Sequence, residues 1–202
     1  MAKSPAVLPL PLSLPPEVPQ PASQAEAVIP QPLWLALVFP KLALEVHDDQ
    51  RRDIPAVAAM EYKGRSVVHT SSRLAEVQGV SAGMVINAAY ALCPGVKVYP
   101  VNEQSQFDRL QQLAAWAEQF TSRVNIQSPH ALLLEVRGSL KLFGGLSAIQ
   151  DQIRQQLTEQ WRHSFHTAVT PTPMASLLLA DCGQSDVVQN TQDLRSVLGR
   201  LS

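Results

Sequence analysis

The feature that most constrains the fold of this 202-residue chain is a run of seven consecutive apolar residues, Leu33 to Phe39. A strand with one solvent-facing side alternates apolar and polar residues, so an uninterrupted run predicts a strand that is covered on both faces. Such a strand must lie inside a sheet that packs against other elements on each side. The run is also far shorter than the ~20 residues that a membrane-spanning helix needs.

Proline is distributed unevenly on the two sides of this run. Nine of the 16 prolines precede Leu33, whereas all nine glycines follow it. Dense prolines remove backbone N–H donors and favour extended conformations, so residues 1–32 are predicted to form a disordered tail. Prolines 5, 9 and 11 would also break the apolar helix of a signal peptide, so a cytoplasmic protein is expected.

Charge and cysteine content exclude an overall basic protein and a disulfide-stabilised secreted protein. With 16 Lys+Arg against 17 Asp+Glu the formal net charge is −1, so any contact with nucleic acid has to be local or weak. Cys93 and Cys182 lie far apart and follow apolar patterns, which predicts buried thiols in a reducing compartment rather than a disulfide framework.

Beyond residue 33, strand and helix patterns alternate without the regular succession of a doubly wound sheet, which predicts an α+β fold. The clearest helices are expected at Glu103 to Phe120 and at Leu146 to Gln160, both on one face of the sheet. Three strands are predicted to share that sheet with the apolar run: Val124 to Gln127, Leu132 to Val136, and Ser164 to Thr170. A hairpin is predicted from Pro55 to Thr70, with its turn ending at Gly64.

Several motifs follow the apolar run in a fixed order: Gly79 to Met84, Ala91 to Pro94, Leu132 to Val136, Gly138 to Gly145, and Thr170 to Ala175. In this order and spacing the chain resembles the palm and fingers of Y-family translesion DNA polymerases over residues 33–183. It is most similar to the ImuB branch, the polymerase-like accessory subunit of a bacterial SOS-induced mutagenesis complex.

The resemblance implies a domain arrangement. Residues 33–185 would form the palm, with a ferredoxin-like mixed sheet and helices on one face, and the fingers, from about residue 50 to 100. Residues 186–202 would begin the thumb. Because the family continues into a full thumb and a little-finger domain, the chain is expected to be a fragment or a truncated gene product.

The resemblance also places the family's catalytic positions. Y-family catalysis uses acidic residues at the end of the first palm strand and before the fourth, where they hold two magnesium ions. These positions fall on Val38, His130 and Ala131, none of which supplies a carboxylate oxygen. The chain is therefore expected to have no catalytic residues, to bind no metal or other cofactor, and not to be an enzyme.

The nucleotide-binding positions of the family are changed as well. The aromatic residue that screens the sugar falls at Ala43, the triphosphate-binding arginine at Glu76, and the lysine after the fifth strand at Pro173. Outside these positions, Arg123, Arg137 and Lys141 are the candidates for contact with nucleic acid or a partner protein.

The expected function is therefore that of a non-catalytic scaffold for DNA damage tolerance and mutagenic translesion synthesis. Its implied partners are an error-prone replicative-type DNA polymerase and a RecA-like accessory protein, with a sliding clamp bound through segments beyond this chain. Two alternatives remain open: an active translesion polymerase whose acids lie elsewhere, and an inert gene fragment.

Three other features have structural interpretations. Glu135 lies in an apolar strand, four residues past the last expected metal position, and is predicted to be a hydrogen-bonded structural carboxylate. His163 and His166, three apart in a strand, would point to opposite faces, which argues against a shared metal. Gln31 to Leu35 faintly resembles a clamp-binding pentapeptide, but the first strand would bury it.

Overall fold

The computed structural model describes residues 31–47, 53–188 and 190–199. Within these ranges no helix is both long and apolar enough to cross a membrane. The predicted tail, residues 1–32, lies outside the described residues except for its last two positions.

Seven strands and eight α-helices are present in the described ranges. The strands are β1 Trp34–Val38, β2 Ala56–Tyr62, β3 Arg65–Ser71, β4 Lys97–Pro100, β5 Val124–Gln127, β6 Ala131–Glu135 and β7 His166–Thr170. The helices are α1 Leu42–Glu45, α2 Arg73–Val77, α3 Ile86–Leu92, α4 Glu103–Ala117, α5 Leu140–Phe143, α6 Leu146–Gln156, α7 Pro173–Asp181 and α8 Thr191–Leu198. A 3₁₀ turn, Arg137–Ser139, precedes α5, and a π-helical turn, Leu157–Trp161, follows α6.

The predicted apolar run forms β1, a central strand of a four-stranded sheet. The strand order is β5-β6-β1-β7, so β1 is paired along both of its edges. All three pairings are antiparallel, which differs from the mixed sheet that was expected. The short turn between β5 and β6 permits only an antiparallel pair, since parallel neighbours need a crossover connection. A parallel pair does occur in the chain, between β2 and β4 of a second sheet.

Both faces of the four-stranded sheet are covered. On the first face, Leu35 and Leu37 of β1 pack with residues of α4 and α6, as predicted. On the second face, Ala36 and Val38 pack against Leu179 of α7. The expectation of helices on one face only is therefore wrong, because side chains of a continuous apolar strand point alternately to both faces and each face needs cover.

A buried hydroxyl fixes α7 to the second face. Ser176 Oγ donates to the carbonyl oxygen of Trp34 at 2.8 Å and accepts from the backbone N–H of Thr170 at 3.0 Å. Ser176 and Thr170 are both fully buried. One side chain thus links the helix to the central strand and to the edge strand.

Replacing this hydroxyl tests how much the link contributes. Ser176→Ala leaves a buried N–H and a buried carbonyl each short of a partner, so we expect the free energy of unfolding to fall by about 1–3 kcal/mol. Ser147→Ala, at an exposed position of α6, is the matched control and should change it by less than about 0.5 kcal/mol. Urea denaturation followed by circular dichroism measures both; equal effects of the two substitutions would contradict the link.

The second sheet is three-stranded, with the order β3-β2-β4. The predicted hairpin is confirmed: β2 and β3 are joined at Lys63 and Gly64, whose φ angles are +50° and +72°. Two positive φ angles in succession define a turn that favours glycine. The sheet has its own apolar core, in which Val57 and Val68 pack with Ala75 and Ala89.

The two cysteines lie in different environments. Cys93 is buried in the core of the three-stranded sheet, as predicted. Cys182 is exposed, which corrects the prediction of two buried thiols. The apolar helical pattern of the sequence continues to Cys182. In the structure, α7 ends at Asp181, so Cys182 lies past the last buried side chains of the helix, those of Leu179 and Ala180.

Candidate functional site

The three residues predicted to occupy the catalytic positions meet at one end of the four-stranded sheet. Val38 pairs with Ala131 across β1 and β6. The N–H of Phe39 donates to the carbonyl oxygen of His130 at 2.8 Å. Val38 and Ala131 are each only 1% exposed. We call the end formed by Val38, His130 and Ala131 the Val38 end.

Strand register explains why these residues meet. β1 ends at Val38 and β6 begins at Ala131, and antiparallel pairing brings the end of one strand beside the start of the other. On its other edge Val38 pairs with His166, the first residue of β7. The side chains of Val38 and Ala131 point to the second face, where they pack with Leu179 of α7.

A histidine–carboxylate pair lies at the rim of the Val38 end. His130 Nε2 is 3.0 Å from Asp181 Oδ1, at the last residue of α7. Their side chains are 36% and 56% exposed, so water screens the interaction and it contributes little to stability. Sequence reasoning missed Asp181, because nothing local connects it to a residue 51 positions earlier.

The residues of the Val38 end do not fit a pair of magnesium ions. Val38 and Ala131 carry no donor atom, and magnesium prefers oxygen ligands to the imidazole of His130. Among residues 31–47, 53–188 and 190–199, no group of three or more His, Cys, Asp and Glu is placed to hold a metal ion. His166 has a buried Nδ1 without a hydrogen-bond partner, beside the apolar pair.

Two of the three predicted nucleotide positions lie close to this end. Glu76 of α2 forms an ion pair with Lys41 at 2.8 Å, which links the helix beside the three-stranded sheet to the segment after β1. Ala43, in α1, is 3% exposed and packs with Ala58. The structure does not bring Pro173 to them: it begins α7 beside Trp34, at the opposite end of β1.

The three predicted basic residues also lie at the opposite end of the sheet. Arg123 directly precedes β5, Arg137 follows β6, and Lys141 lies in α5. With about 3.4 Å per strand residue, the length of β1 separates them from the Val38 end by roughly 17 Å. Glu135 is confirmed as a structural carboxylate, since its Oε1 accepts the N–H groups of Leu33 and Arg137 at 3.1 and 3.0 Å.

A buried network beside Phe39 was not predicted. His163 Nδ1 is 2.7 Å from Glu45 Oε2, and Arg109 Nη1 is 3.1 Å from His163 Nε2. Because the guanidinium can only donate, Nε2 accepts and the Nδ1–H donates to Glu45. His163 is 5% exposed, and its ring meets Phe39 edge-on. The network joins α1, α4 and the segment before β7, and it gives His163 a structural role.

The network controls the ionisation of Glu45. Burial disfavours the charged carboxylate, but the hydrogen bonds from His163 and from the N–H of Ser164 outweigh that effect. The pKa of Glu45 is therefore lowered. A carboxyl whose pKa is lower in the folded state than in the unfolded state contributes stability above its unfolded pKa, and that stability is lost as the pH falls through the folded pKa.

Glu45→Gln should therefore reduce the free energy of unfolding by about 2 kcal/mol near pH 7, because a charged acceptor is replaced by a neutral one. The difference from the original protein should shrink as the pH falls below 4.5, the ordinary pKa of a glutamate, and vanish as the pH passes through the lowered pKa of Glu45. Glu159→Gln, at an exposed carboxylate, is the control and should have an effect below about 0.5 kcal/mol. Urea denaturation across this pH range measures both, and a pH-independent difference would contradict the assigned network.

Comparison with known proteins identifies the family to which this chain belongs. Residues 41–181 match the model of the impB/mucB/samB family. The chain is 28% identical over 145 residues to DNA polymerase IV of Marinomonas sp. (strain MWYL1) and 25% identical over 140 residues to DNA polymerase IV of Escherichia coli O157:H7. These matches cover 71% and 69% of this chain but only 41% and 40% of the relatives, so the chain spans about two fifths of their length.

Solved structures share the fold. A post-insertion binary complex of Dbh DNA polymerase matches with a TM-score of 0.66 and 18% identity, over 82% of this chain and 50% of that one. DinB from Sulfolobus solfataricus matches with a TM-score of 0.61 and 18% identity, over 82% and 50%. The predicted fold class, a palm with attached fingers, is confirmed by these matches.

The expectation that this protein is not an enzyme is contradicted by the same comparisons. The relatives are named DNA polymerase IV, and the structural neighbours are DNA polymerases. Reasoning from Val38, His130 and Ala131 alone led to the opposite expectation. The relatives in the matched family are therefore polymerase-type enzymes.

Proposed function

Because this chain belongs to the impB/mucB/samB family, which makes it a homologue of Y-family DNA polymerases, we propose that it supplies the palm and fingers of a protein acting in translesion DNA synthesis. The observation that carries the proposal is the extent of the family match. Residues 41–181 run from α1 through the three-stranded sheet and three strands of the four-stranded sheet to the end of α7.

The residues of the Val38 end support a finer assignment within this family. An apolar pair, Val38 and Ala131, lies where the resemblance places carboxylates, and the Lys41–Glu76 ion pair lies at a position assigned to triphosphate binding. These replacements favour the ImuB-like branch and a role in SOS-induced mutagenesis. The protein would act in the cytoplasm.

In that role the palm would serve as a docking platform. The proposed partners are an error-prone replicative-type DNA polymerase and a RecA-like accessory protein, with a sliding clamp bound by segments beyond this chain. The platform would hold these proteins on damaged template, with at most weak DNA contact of its own, in keeping with the formal net charge of −1.

A second candidate is DNA polymerase activity of the protein to which this palm belongs. The names of its relatives favour this candidate. Both roles place the protein in translesion synthesis, and docking of partner proteins is compatible with a polymerase activity of the protein itself.

Lesion bypass in a purified system tests each role. A protein in which this palm is joined to a thumb and a little-finger domain is added to primed template with an abasic site, with or without the error-prone polymerase. If the palm is a docking platform, extension past the lesion should exceed that of the error-prone polymerase alone, and an immobilised palm protein should retain that polymerase.

Two results would revise the proposal. Extension by the palm protein alone, above that of a mock purification, would assign the activity to this protein and favour the second candidate. If it neither extends the primer nor stimulates or retains the error-prone polymerase, the proposed role in translesion synthesis is contradicted.

A further inference from the structure

The end of the sheet opposite the Val38 end carries an unusually exposed leucine. Leu142 is 82% exposed, more than any other large apolar side chain in the described ranges. Its neighbours Leu140 and Phe143 turn inward to the core, where the rings of Phe143 and Phe120 lie 5.6 Å apart. Gly144, with φ +81°, ends the helical turn immediately afterwards. The fold therefore anchors α5 on both sides of Leu142 and holds that side chain in water.

Two basic residues lie on the same short helical segment as this leucine. Arg137 and Lys141 are four positions apart on the continuous 3₁₀ and α5 segment, a spacing that places them on the same side. Arg123 lies at the same end of the sheet, because its carbonyl oxygen accepts the N–H of Glu135, two residues before Arg137, at 3.0 Å. Arg123 and Lys141 are exposed and Arg137 is half-buried. We call Arg123, Arg137, Lys141 and Leu142 the α5 surface.

The cations of the α5 surface have no acidic partner in the part of the chain that the structure describes. The carboxylate nearest in sequence, Glu135, is 9% exposed and accepts two backbone N–H groups instead. The side chain of Arg137 donates a hydrogen bond from Nε to the carbonyl oxygen of Gln31 at 2.8 Å. No carboxylate of the described residues neutralises these charges, which are therefore available to an acidic ligand.

The chemistry of the α5 surface distinguishes between two kinds of ligand. A phosphate backbone would use the cations but would leave Leu142 in water. A protein segment with acidic and leucine side chains would use both, since protein interfaces bury apolar side chains at the centre and keep polar and charged groups at the rim. A single exposed leucine is ordinary on a protein surface. The adjacent unpaired cations are what specify the partner.

We propose that the α5 surface binds an acidic, leucine-bearing segment of a partner protein. The leucine of that segment would pack on Leu142, and its carboxylates would pair with Lys141, Arg123 and Arg137. The inference gives a binding surface to the docking role proposed above, and it rests on that role only for the identity of the partner.

A peptide of alternating acidic residues and leucine is a direct probe. Binding of the fluorescein-labelled peptide to the full 202-residue chain is measured by fluorescence anisotropy. Leu142→Ser should weaken it about tenfold through lost apolar burial. Lys141→Glu should weaken it about fivefold or more, with the larger effect at low salt.

Two control variants match these substitutions in charge and exposure. Arg154→Glu reverses an exposed charge on α6, and Met174→Ser removes an apolar side chain that is 72% exposed on α7. Each should leave the affinity within about twofold. A second peptide, with serine in place of leucine, should bind about tenfold more weakly than the first. Thermal unfolding of every variant checks that the exposed substitutions leave the fold intact.

Several results would overturn the inference. They are an absence of saturable binding up to about 1 mM peptide, equal binding by the serine peptide, and affinity unaffected by Leu142→Ser and Lys141→Glu. Tighter binding of a short duplex DNA that depends on Lys141 but not on Leu142 would assign the surface to nucleic acid instead. Failure here would leave stimulation of lesion bypass intact, so it can be told apart from failure of the proposed function.

Discussion

The architecture depends on the need to cover both faces of β1. Leu33, Leu35, Leu37 and Phe39 are fully buried among the helices of the first face, and Ala36 and Val38 are buried under α7. Antiparallel pairing with β6 and β7 satisfies both edges of the strand. A polar substitution in a strand enclosed in this way lowers the stability of the fold, because the polar group is buried whichever face it points to. Its register in turn fixes which residues meet at each end of the sheet.

The ends of that sheet differ in chemistry. The Val38 end combines two apolar residues with a histidine–carboxylate pair at its rim. The Lys41–Glu76 ion pair links it to the helix beside the three-stranded sheet. The other end carries the three cations and the exposed leucine of the α5 surface. The comparisons point to a polymerase-type family, and the length of β1 keeps the two ends of its palm apart.

Much of the fold followed from local patterns. The enclosed strand, the hairpin that turns at Gly64, and the helix α4 each have a signal within one stretch of sequence: an apolar run, a glycine between two strands, and a helical stripe that includes Leu110 and Leu113. The site was only partly predictable. The meeting of Val38 with Ala131 came from a family resemblance, and the structure shows the strand register that produces it.

Contacts between distant residues left no such signal. His163 is 118 positions from Glu45, and Asp181 is 51 positions from His130, so neither pair has a spacing that a sequence pattern could reveal. The cover of the second face by α7 was missed although the apolar run required it. The expectation of a non-enzyme failed for another reason. It rested on three positions, whereas the relatives named as polymerases match along most of the chain.

The central claim, that this palm acts in translesion DNA synthesis, is tested most directly by damage-induced mutation frequency. A strain from which the gene has been deleted is compared with its parent after exposure to ultraviolet light, with the full-length gene returned on a plasmid. The account predicts that induced mutation falls toward the spontaneous frequency in the deleted strain and that the returned gene restores it. An induced mutation frequency equal to that of the parent would contradict the account.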